Sequence, residues 1–264
     1  MPPPVSGGGG AGRLRWGGIV VLASLVVSGT RAAVAEAADA SSQLVLVVVA
    51  DWRQTTGTLN RYDRGAVGWT RAGSSMPVTI GRAGCAWGSG LHPAIDEAPR
   101  KREGDGRSPA GVFAIGTAFG SATTLDTGLA YRPLTAHDWC IDDSRSPHYN
   151  RIVDDREVGA EAVRGSTEPM RRELHLDGDR LYDIGFVIEH NAGCAACAGS
   201  CIFAHPWHDA GTPTAGCTAL AADDLRELLR WLRADAHPRF VLLPAAEHRR
   251  VWQAWNLPSP GDAP

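Results

Sequence analysis

The chain has 264 residues, a formal net charge of −3 at neutral pH and 44% hydrophobic residues. A slightly acidic balance argues against a nucleic-acid partner, because such proteins carry basic patches for the phosphate backbone. The length fits one sizeable domain, since domains usually contain about 100–200 residues, and no linker rich in Pro, Gly or Ser divides the chain beyond its N-terminal segment. We predict a single domain over residues 38–257.

The first 37 residues have the pattern of a secretory signal peptide. Arg13 and Arg15 precede a short apolar core at residues 17–29, and residues 33–35 or 35–37 offer a small-x-small cleavage site. An uncleaved anchor is the alternative, but the apolar run is shorter than the ~20 residues that span a bilayer. We therefore expect cleavage, no stable membrane span afterwards, and export to the periplasm or cell envelope.

Short apolar segments next in the chain predict β-strands. They begin with residues 44–49 and with a hairpin in which residues 58–62 and 66–70 flank Asp63-Arg64-Gly65. The other predicted strands are residues 76–80, 111–115, 186–189, 201–204 and 240–243.

Helical periodicity is clear in one segment, residues 221–234, where four leucines recur at helical spacing. A shorter helix is predicted over residues 246–255. Residues 134–172 are polar and predict a loop-dominated segment that walls a cleft, and residues 258–264 predict a disordered tail. Together these elements indicate a mainly β fold, a sandwich or barrel, with a few peripheral helices.

Cys217 and His205 are the candidate catalytic residues. A cysteine is a strong nucleophile only as a thiolate, so it needs a base or a positive environment, and His205 lies twelve residues before it on a predicted strand. The helix predicted after Cys217 places the thiol near a helix N-terminus, whose dipole favours an anion. Backbone N–H groups of the loop Thr214, Ala215 and Gly216 are candidates for an oxyanion hole. A lone Cys or His is usually structural, so the local sequence decides.

That local sequence resembles the active-site signature of the L,D-transpeptidase (YkuD-type) catalytic domain, in the branch with Thr-Ala-Gly-Cys. The matching segments are GSCIFAHPW at residues 199–207 and PTAGCTAL at residues 213–220. Upstream, GDGRSPAGVF at residues 104–113 is similar to the family's GDG stretch, and GRAGCAWG at residues 81–88 precedes it in the expected order. Weaker matches are WCIDD at 139–143, YN at 149–150 and YDIGFVIEHN at 182–191.

The resemblance implies a peptidoglycan L,D-transpeptidase with residues 38–257 as its catalytic domain. Cys217 would attack the carbonyl of the third residue of a stem peptide, expel the terminal D-alanine and form a thioester, with His205 as base and then acid. An amine from another stem peptide would resolve the thioester into a cross-link, and water would make the enzyme an L,D-carboxypeptidase. Trp207 and Asn191 are the predicted substrate contacts, a capped strand end being the alternative for Asn191. No cofactor and no metal are implied.

The chain departs from better-known members around the nucleophile. Ala215 replaces a histidine, and Thr218-Ala219 replaces a hydrophobic residue followed by arginine. An arginine there would be a plausible partner for a substrate carboxylate or carbonyl, so its absence leaves donor recognition open. A non-catalytic cell-wall-binding module is the alternative of a different class.

Five cysteines besides Cys217 need an explanation: Cys85, Cys140, Cys194, Cys197 and Cys201. Export favours disulfides among them, and a pair within 194, 197 and 201 would fix the loop that leads into the His205 strand. The odd number leaves at least one further thiol free. A zinc site is the alternative, because the Cys194-x2-Cys197-x3-Cys201 spacing lies near His190, His205 and His208.

Overall fold

The computed structural model describes residues 41–262. The predicted signal peptide and the last two residues lie outside this range. The strands, in chain order, are β1 (Gln43–Val49), β2 (Thr56–Gly65), β3 (Gly68–Arg71), β4 (Met76–Thr79), β5 (Cys85–Trp87), β6 (Ser108–Gly120), β7 (Tyr131–Pro133), β8 (Asp138–Cys140), β9 (Ile152–Asp154), β10 (Glu168–Pro169), β11 (Ile184–Ile188), β12 (Phe203–Pro206), β13 (Thr218–Leu220) and β14 (Arg239–Pro244). The α-helices are α1 (Asp155–Val158), α2 (Ala160–Val163), α3 (Arg172–His175), α4 (Ala222–Trp231) and α5 (Ala245–Val251).

Eight strands close into a mixed β-barrel. Their order is β1, β14, β6, β11, β12, β13, β4 and β2, and β2 pairs back onto β1 to complete the ring. The pairs β1–β14 and β12–β13 are parallel, whereas the other pairs around the ring are antiparallel. The prediction of a mainly β fold with a few short helices is confirmed, and the architecture is a barrel.

The barrel core explains why β1 is a continuous apolar run. Val45, Leu46 and Val47 are each 0% exposed, because both faces of this strand are covered. On the outside, α4 buries Leu225, Leu228 and Leu229 and packs on β11 and β12. Full burial of a leucine side chain is worth roughly 1.5–3 kcal/mol, so this face fixes the helix firmly behind the strand that carries His205.

Several element boundaries differ from the prediction for identifiable reasons. β12 begins at Phe203 instead of residue 201, because Cys201 has φ 54°, a left-handed conformation that an extended strand cannot contain. β6 is longer than predicted because it pairs in turn with β5, β14, β11 and β7. α4 ends at Trp231, three residues before the predicted end of the helix at residue 234. A 3₁₀ turn follows at Ala234–Ala236.

Residues 134–172 are more structured than the loop predicted from their polarity. They form a small sheet in which β8 pairs with β9 and β10, together with the short helices α1 and α2. A disulfide joins Cys140, at the end of β8, to Cys201, just before β12. The small sheet is therefore covalently tied to the barrel strand that carries His205.

The C-terminal segment is packed as far as the structure describes it. Pro258 is buried and its carbonyl lies 2.9 Å from Nε2 of His248, and Pro260–Asp262 form a 3₁₀ turn. Residues 258–262 of the predicted disordered tail thus belong to the fold. Within residues 41–262, no helix is both long and apolar enough to cross a membrane.

Candidate active site

The adjacent strands β12 and β13 bring the two predicted catalytic residues together. In their parallel register Ala204 is opposite Thr218 and His205 is opposite Ala219. Because side chains alternate along a strand, His205 and Cys217, two residues before Ala219, point to the same face. Both line a cavity of about 490 Å³, which is within the usual range of ligand sites.

Cys217 is a buried residue of the cavity wall and has a protonated thiol. Its Sγ donates to the carbonyl of Cys201 at 3.5 Å and accepts the N–H of Phe203 at 3.4 Å. Burial and, to a smaller extent, the nearby charge of Glu168 together raise the pKa of the thiol to about 12, against the weaker opposing effects of the Phe203 amide, Tyr182 and Arg172. The thiol is therefore uncharged at neutral pH.

The predicted helix-dipole activation of this thiol is wrong. Cys217 is followed by the three residues of β13, and α4 begins only at Ala222. The dipole acts within the first turn of a helix, so its effect does not reach the sulfur. The pKa of the thiol is accordingly raised and not lowered.

His205 is a neutral base with a defined tautomer. Its Nδ1 lies 2.7 Å from the carbonyl of Pro206, and because a carbonyl only accepts, Nδ1 carries the proton and Nε2 keeps its lone pair. Burial lowers the pKa of the imidazole to about 4. The ring stands edge-on to Tyr182, 5.3 Å between centroids. The carbonyl of Pro206 thus fixes the orientation of the imidazole, as the third member of a catalytic triad does.

Hydroxyl groups clamp the loop before Cys217. The Thr214 hydroxyl donates to the Cys217 carbonyl at 2.6 Å and accepts the N–H of Gly216 at 3.1 Å. The Ser108 hydroxyl shares its one proton between the carbonyls of Gly216 (2.7 Å) and Cys217 (3.0 Å). The predicted loop residues Thr214, Ala215 and Gly216 all line the cavity. Because the Gly216 N–H is already used, the N–H groups of Ala215 and Cys217 are the remaining donors in this loop for an oxyanion.

The two predicted substrate contacts lie in different places. Trp207 lines the cavity. Its backbone N–H donates to the carbonyl of Leu220 at 2.9 Å, which extends the β12–β13 ladder. Asn191 is buried and lies outside the cavity lining. Its Nδ2 donates to the carbonyls of Ala195 and Gly199, and its Oδ1 accepts the Ala195 N–H. The structure therefore gives Asn191 the role of organising the loop after β11.

The sequence analysis missed several cavity residues, among them Glu168, Arg172 and Tyr182. The Glu168 carboxylate accepts from the Tyr182 hydroxyl at 2.6 Å and pairs with Arg172 at 2.9 Å, and the Arg172 guanidinium stacks over the Tyr182 ring at 5.0 Å. Tyr182 opened a stretch that resembles the family. Glu168 and Arg172 carry no local signal, because in a polar segment the sequence does not distinguish a partly buried charged side chain from an exposed one.

The predicted pairing within Cys194, Cys197 and Cys201 is wrong, because Cys201 pairs with Cys140. Cys194, Cys197 and the buried Cys85 are free thiols, as is Cys217. The disulfide also removes Cys201 from the zinc ligand set weighed above. Across residues 41–262, no group of three or more His, Cys, Asp or Glu side chains is arranged to hold a metal ion.

Comparison with known families agrees with this geometry. The model of the YkuD family, the L,D-transpeptidase catalytic domain, matches residues 48–241, a range that covers well over half of the chain and contains both Cys217 and His205. No curated protein and no solved structure shows significant similarity to the chain. The chain therefore belongs to the L,D-transpeptidase catalytic domain family.

Proposed function

We propose that this protein is a peptidoglycan L,D-transpeptidase of the branch with a Thr-Ala-Gly-Cys motif, in which Cys217 is the nucleophile. Its family is one of cell-wall enzymes that use a cysteine. The observation that carries the proposal is the pairing of a thiol with a neutral imidazole on the same wall of an open cavity. A non-catalytic wall-binding module would have no need of this pair.

The first step forms a thioester. Sγ of Cys217 attacks the carbonyl of the third stem residue while Nε2 of His205 takes the thiol proton. The N–H groups of Ala215 and Cys217 stabilise the oxyanion. When the C–N bond breaks, His205 returns the proton to the leaving amine, so D-alanine departs as a neutral amine and the enzyme keeps the acyl group.

The second step decides between two products. If an amine attacks the thioester, a new C–N bond forms, the C–S bond breaks, and His205 carries the amine's proton back to the sulfur. The result is a cross-link, and we assign Trp207, which lines the cavity, to the acceptor side. If water attacks instead, the product is a trimmed stem peptide, as in an L,D-carboxypeptidase.

We also propose that the protein works outside the cytoplasm, in the periplasm or cell envelope. The N-terminal sequence supports this through its positive segment, apolar core and small-residue cleavage site. The Cys140–Cys201 disulfide supports it independently, because disulfides persist in oxidising compartments. Peptidoglycan, the proposed substrate, lies in that compartment.

The test of the proposal is covalent labelling by a carbapenem, a β-lactam that acylates this class of cysteine. We expect the purified protein to gain one drug mass and Cys217→Ala to gain none. Cys197→Ala is the matched control, because Cys197 is an exposed free thiol outside the cavity, and it should label like the wild type. An unmodified wild-type protein at high drug excess would contradict the enzyme proposal. Muropeptide analysis after overproduction then separates cross-linking from trimming.

A further inference from the structure

The cations that line the cavity differ in whether an anion accompanies them. Lys101 pairs with Asp105 at 2.7 Å, Arg172 with Glu168 at 2.9 Å, and His208 lies 2.7 Å from Asp209. Arg82 lines the same cavity, is exposed, and forms no ion pair or side-chain hydrogen bond with any residue between 41 and 262. Among these cavity-lining cations of residues 41–262, Arg82 is therefore the one with no carboxylate within ion-pair distance.

The position of Arg82 is fixed relative to the nucleophile. Its N–H donates to the carbonyl of Thr214 at 2.8 Å, and the hydroxyl of Thr214 donates in turn to the carbonyl of Cys217. The preceding Gly81 donates its N–H to Ser108, the residue that clamps the same loop. The backbone of Arg82 is thus hydrogen-bonded directly to the loop that presents the thiol.

The side chain of Arg82 packs against the backbone of a glycine. It lies against Gly106, where an added Cβ would come within 3.1 Å of its Cγ and Nε. Gly106 has φ +67°, which glycine adopts without the cost that a side chain incurs. The glycine of the GDG stretch therefore provides the flat surface on which the guanidinium rests beside the cavity.

We propose that Arg82 binds the C-terminal carboxylate of the acyl donor, an inference that rests on the proposed transpeptidase function. In such a donor the carboxylate belongs to the residue after the scissile carbonyl, and consecutive Cα atoms are about 3.8 Å apart. The binding group must therefore lie close to Cys217. A guanidinium matches a carboxylate with two parallel hydrogen bonds, which favours arginine for this task.

The residues that follow the nucleophile cannot take this role. Thr218 and Ala219 are both uncharged, and although Ala219 lines the cavity, its methyl group cannot bind a carboxylate. Recognition of the donor carboxylate has to come from another segment, and the segment beside the loop supplies Arg82. This resolves the question that the missing arginine after Cys217 left open.

The experiment compares two tetrapeptide donors that differ only in a C-terminal carboxylate or carboxamide. We expect wild-type kcat/KM to favour the acid by about tenfold to a hundredfold, the range of a charge-assisted hydrogen bond. Arg82→Ala should lose this preference by slowing the acid donor and leaving the amide donor unchanged. Arg82→Lys should keep part of it, because the charge remains without the bidentate fork.

Arg102→Ala is the matched control, because Arg102 is an exposed arginine of a neighbouring segment outside the cavity lining, and it should behave like the wild type. Turnover of the amide donor reports that each variant is folded. Equal wild-type rates on acid and amide, or an equal loss on both in Arg82→Ala, would overturn the carboxylate assignment alone. No wild-type turnover of either donor, with no carbapenem adduct, would overturn the proposed function and this inference with it.

Discussion

Cys217 and His205 are both uncharged at neutral pH, because burial acts on them in opposite directions. It raises the pKa of the thiol to about 12 and lowers the pKa of the imidazole to about 4. The resting site is therefore a neutral pair and not a thiolate–imidazolium ion pair. The thiol proton must move to Nε2 as the C–S bond forms, so the rate depends on how substrate binding places the carbonyl.

Glu168 tunes the thiol, because its carboxylate stands near the sulfur. We predict that Glu168→Gln lowers the pKa of the Cys217 thiol and speeds its alkylation by iodoacetamide several-fold at fixed pH. The substitution removes the negative charge that disfavours the thiolate, while Arg172 stays paired with Asp179 and keeps its positive charge near the sulfur. Peptide mapping by mass spectrometry follows Cys217 separately from the exposed Cys197.

The control for this prediction is Glu161→Gln, a charge removal on the exposed surface of α2, which should leave the alkylation rate of Cys217 unchanged. Slower alkylation in Glu168→Gln would mean that Glu168 stabilises the thiolate through Tyr182, opposite to the effect described here. Such a result would contradict the electrostatic role that we assign to this carboxylate.

At the scale of elements, the small sheet β8–β10 matters because it carries Glu168 to the cavity. The sheet is held by its own short strands and by the disulfide from Cys140 to Cys201, which closes a loop of 61 residues. Cross-linking a loop of this size restricts the unfolded chain and stabilises the fold by about 2–4 kcal/mol. The disulfide therefore supports both the stability of the domain and the geometry of the cavity wall.

We predict that the double variant Cys140→Ser, Cys201→Ser loses about 2–4 kcal/mol of free energy of unfolding in urea. Carbapenem acylation should also slow, because β8, which pairs with the β10 strand that carries Glu168, is no longer linked to the segment before β12. Reductant should destabilise the wild type and leave the double variant unchanged, which makes the variant its own control. A wild-type protein whose free energy of unfolding stays the same after reduction of the disulfide would contradict the stabilising role that we assign to this pair.

Sequence patterns predicted the elements and residues that depend on local order. The Val-rich run of β1, the leucines of α4 and the Gly-Cys pair at 216–217 each carry their signal within a few residues. The partner of Cys201 and the neighbours of Cys217 depend instead on which distant segments meet. Cys140 is 61 residues from Cys201, and Glu168 reaches the thiol only because the small sheet folds over the barrel. The sign of the thiol pKa shift depended on that burial.

At the scale of the whole molecule, closure of the barrel makes the site possible. The ring joins strands from both ends of the chain, since β1 pairs with β14, and it places β12 and β13 side by side in the middle of the wall. The imidazole of His205 is thereby buried against Tyr182 in the wall of the cavity. A second imidazole, His190, is buried at the end of β11 and its pKa is also lowered to about 4.

These two histidines make stability depend on pH. Their pKa values in the folded state lie below the ordinary value of 6.5, so the unfolded chain binds protons more readily. These histidines do not reduce the free energy of unfolding above pH 6.5, and they lower it as the pH drops from 6.5 towards 4. Burial lowers the pKa of His92 and His248 as well, which adds to this effect, whereas burial raises the pKa of Glu168 and Glu189, which opposes it.

We predict that His205→Asn lowers the number of protons taken up on unfolding between pH 6.5 and 4 by about one. The variant lacks one of the buried imidazoles that become protonated when the chain unfolds. Urea unfolding at several pH values between 7.5 and 4.5, at constant ionic strength, measures the slope of the unfolding free energy for both proteins. A mutation of the solvent-facing His208, whose pKa is raised by Asp209, should not flatten the slope in this range. Equal slopes in the wild type and His205→Asn would mean that the imidazole takes up its proton in the fold as readily as in the unfolded chain, which would contradict the lowered pKa described here.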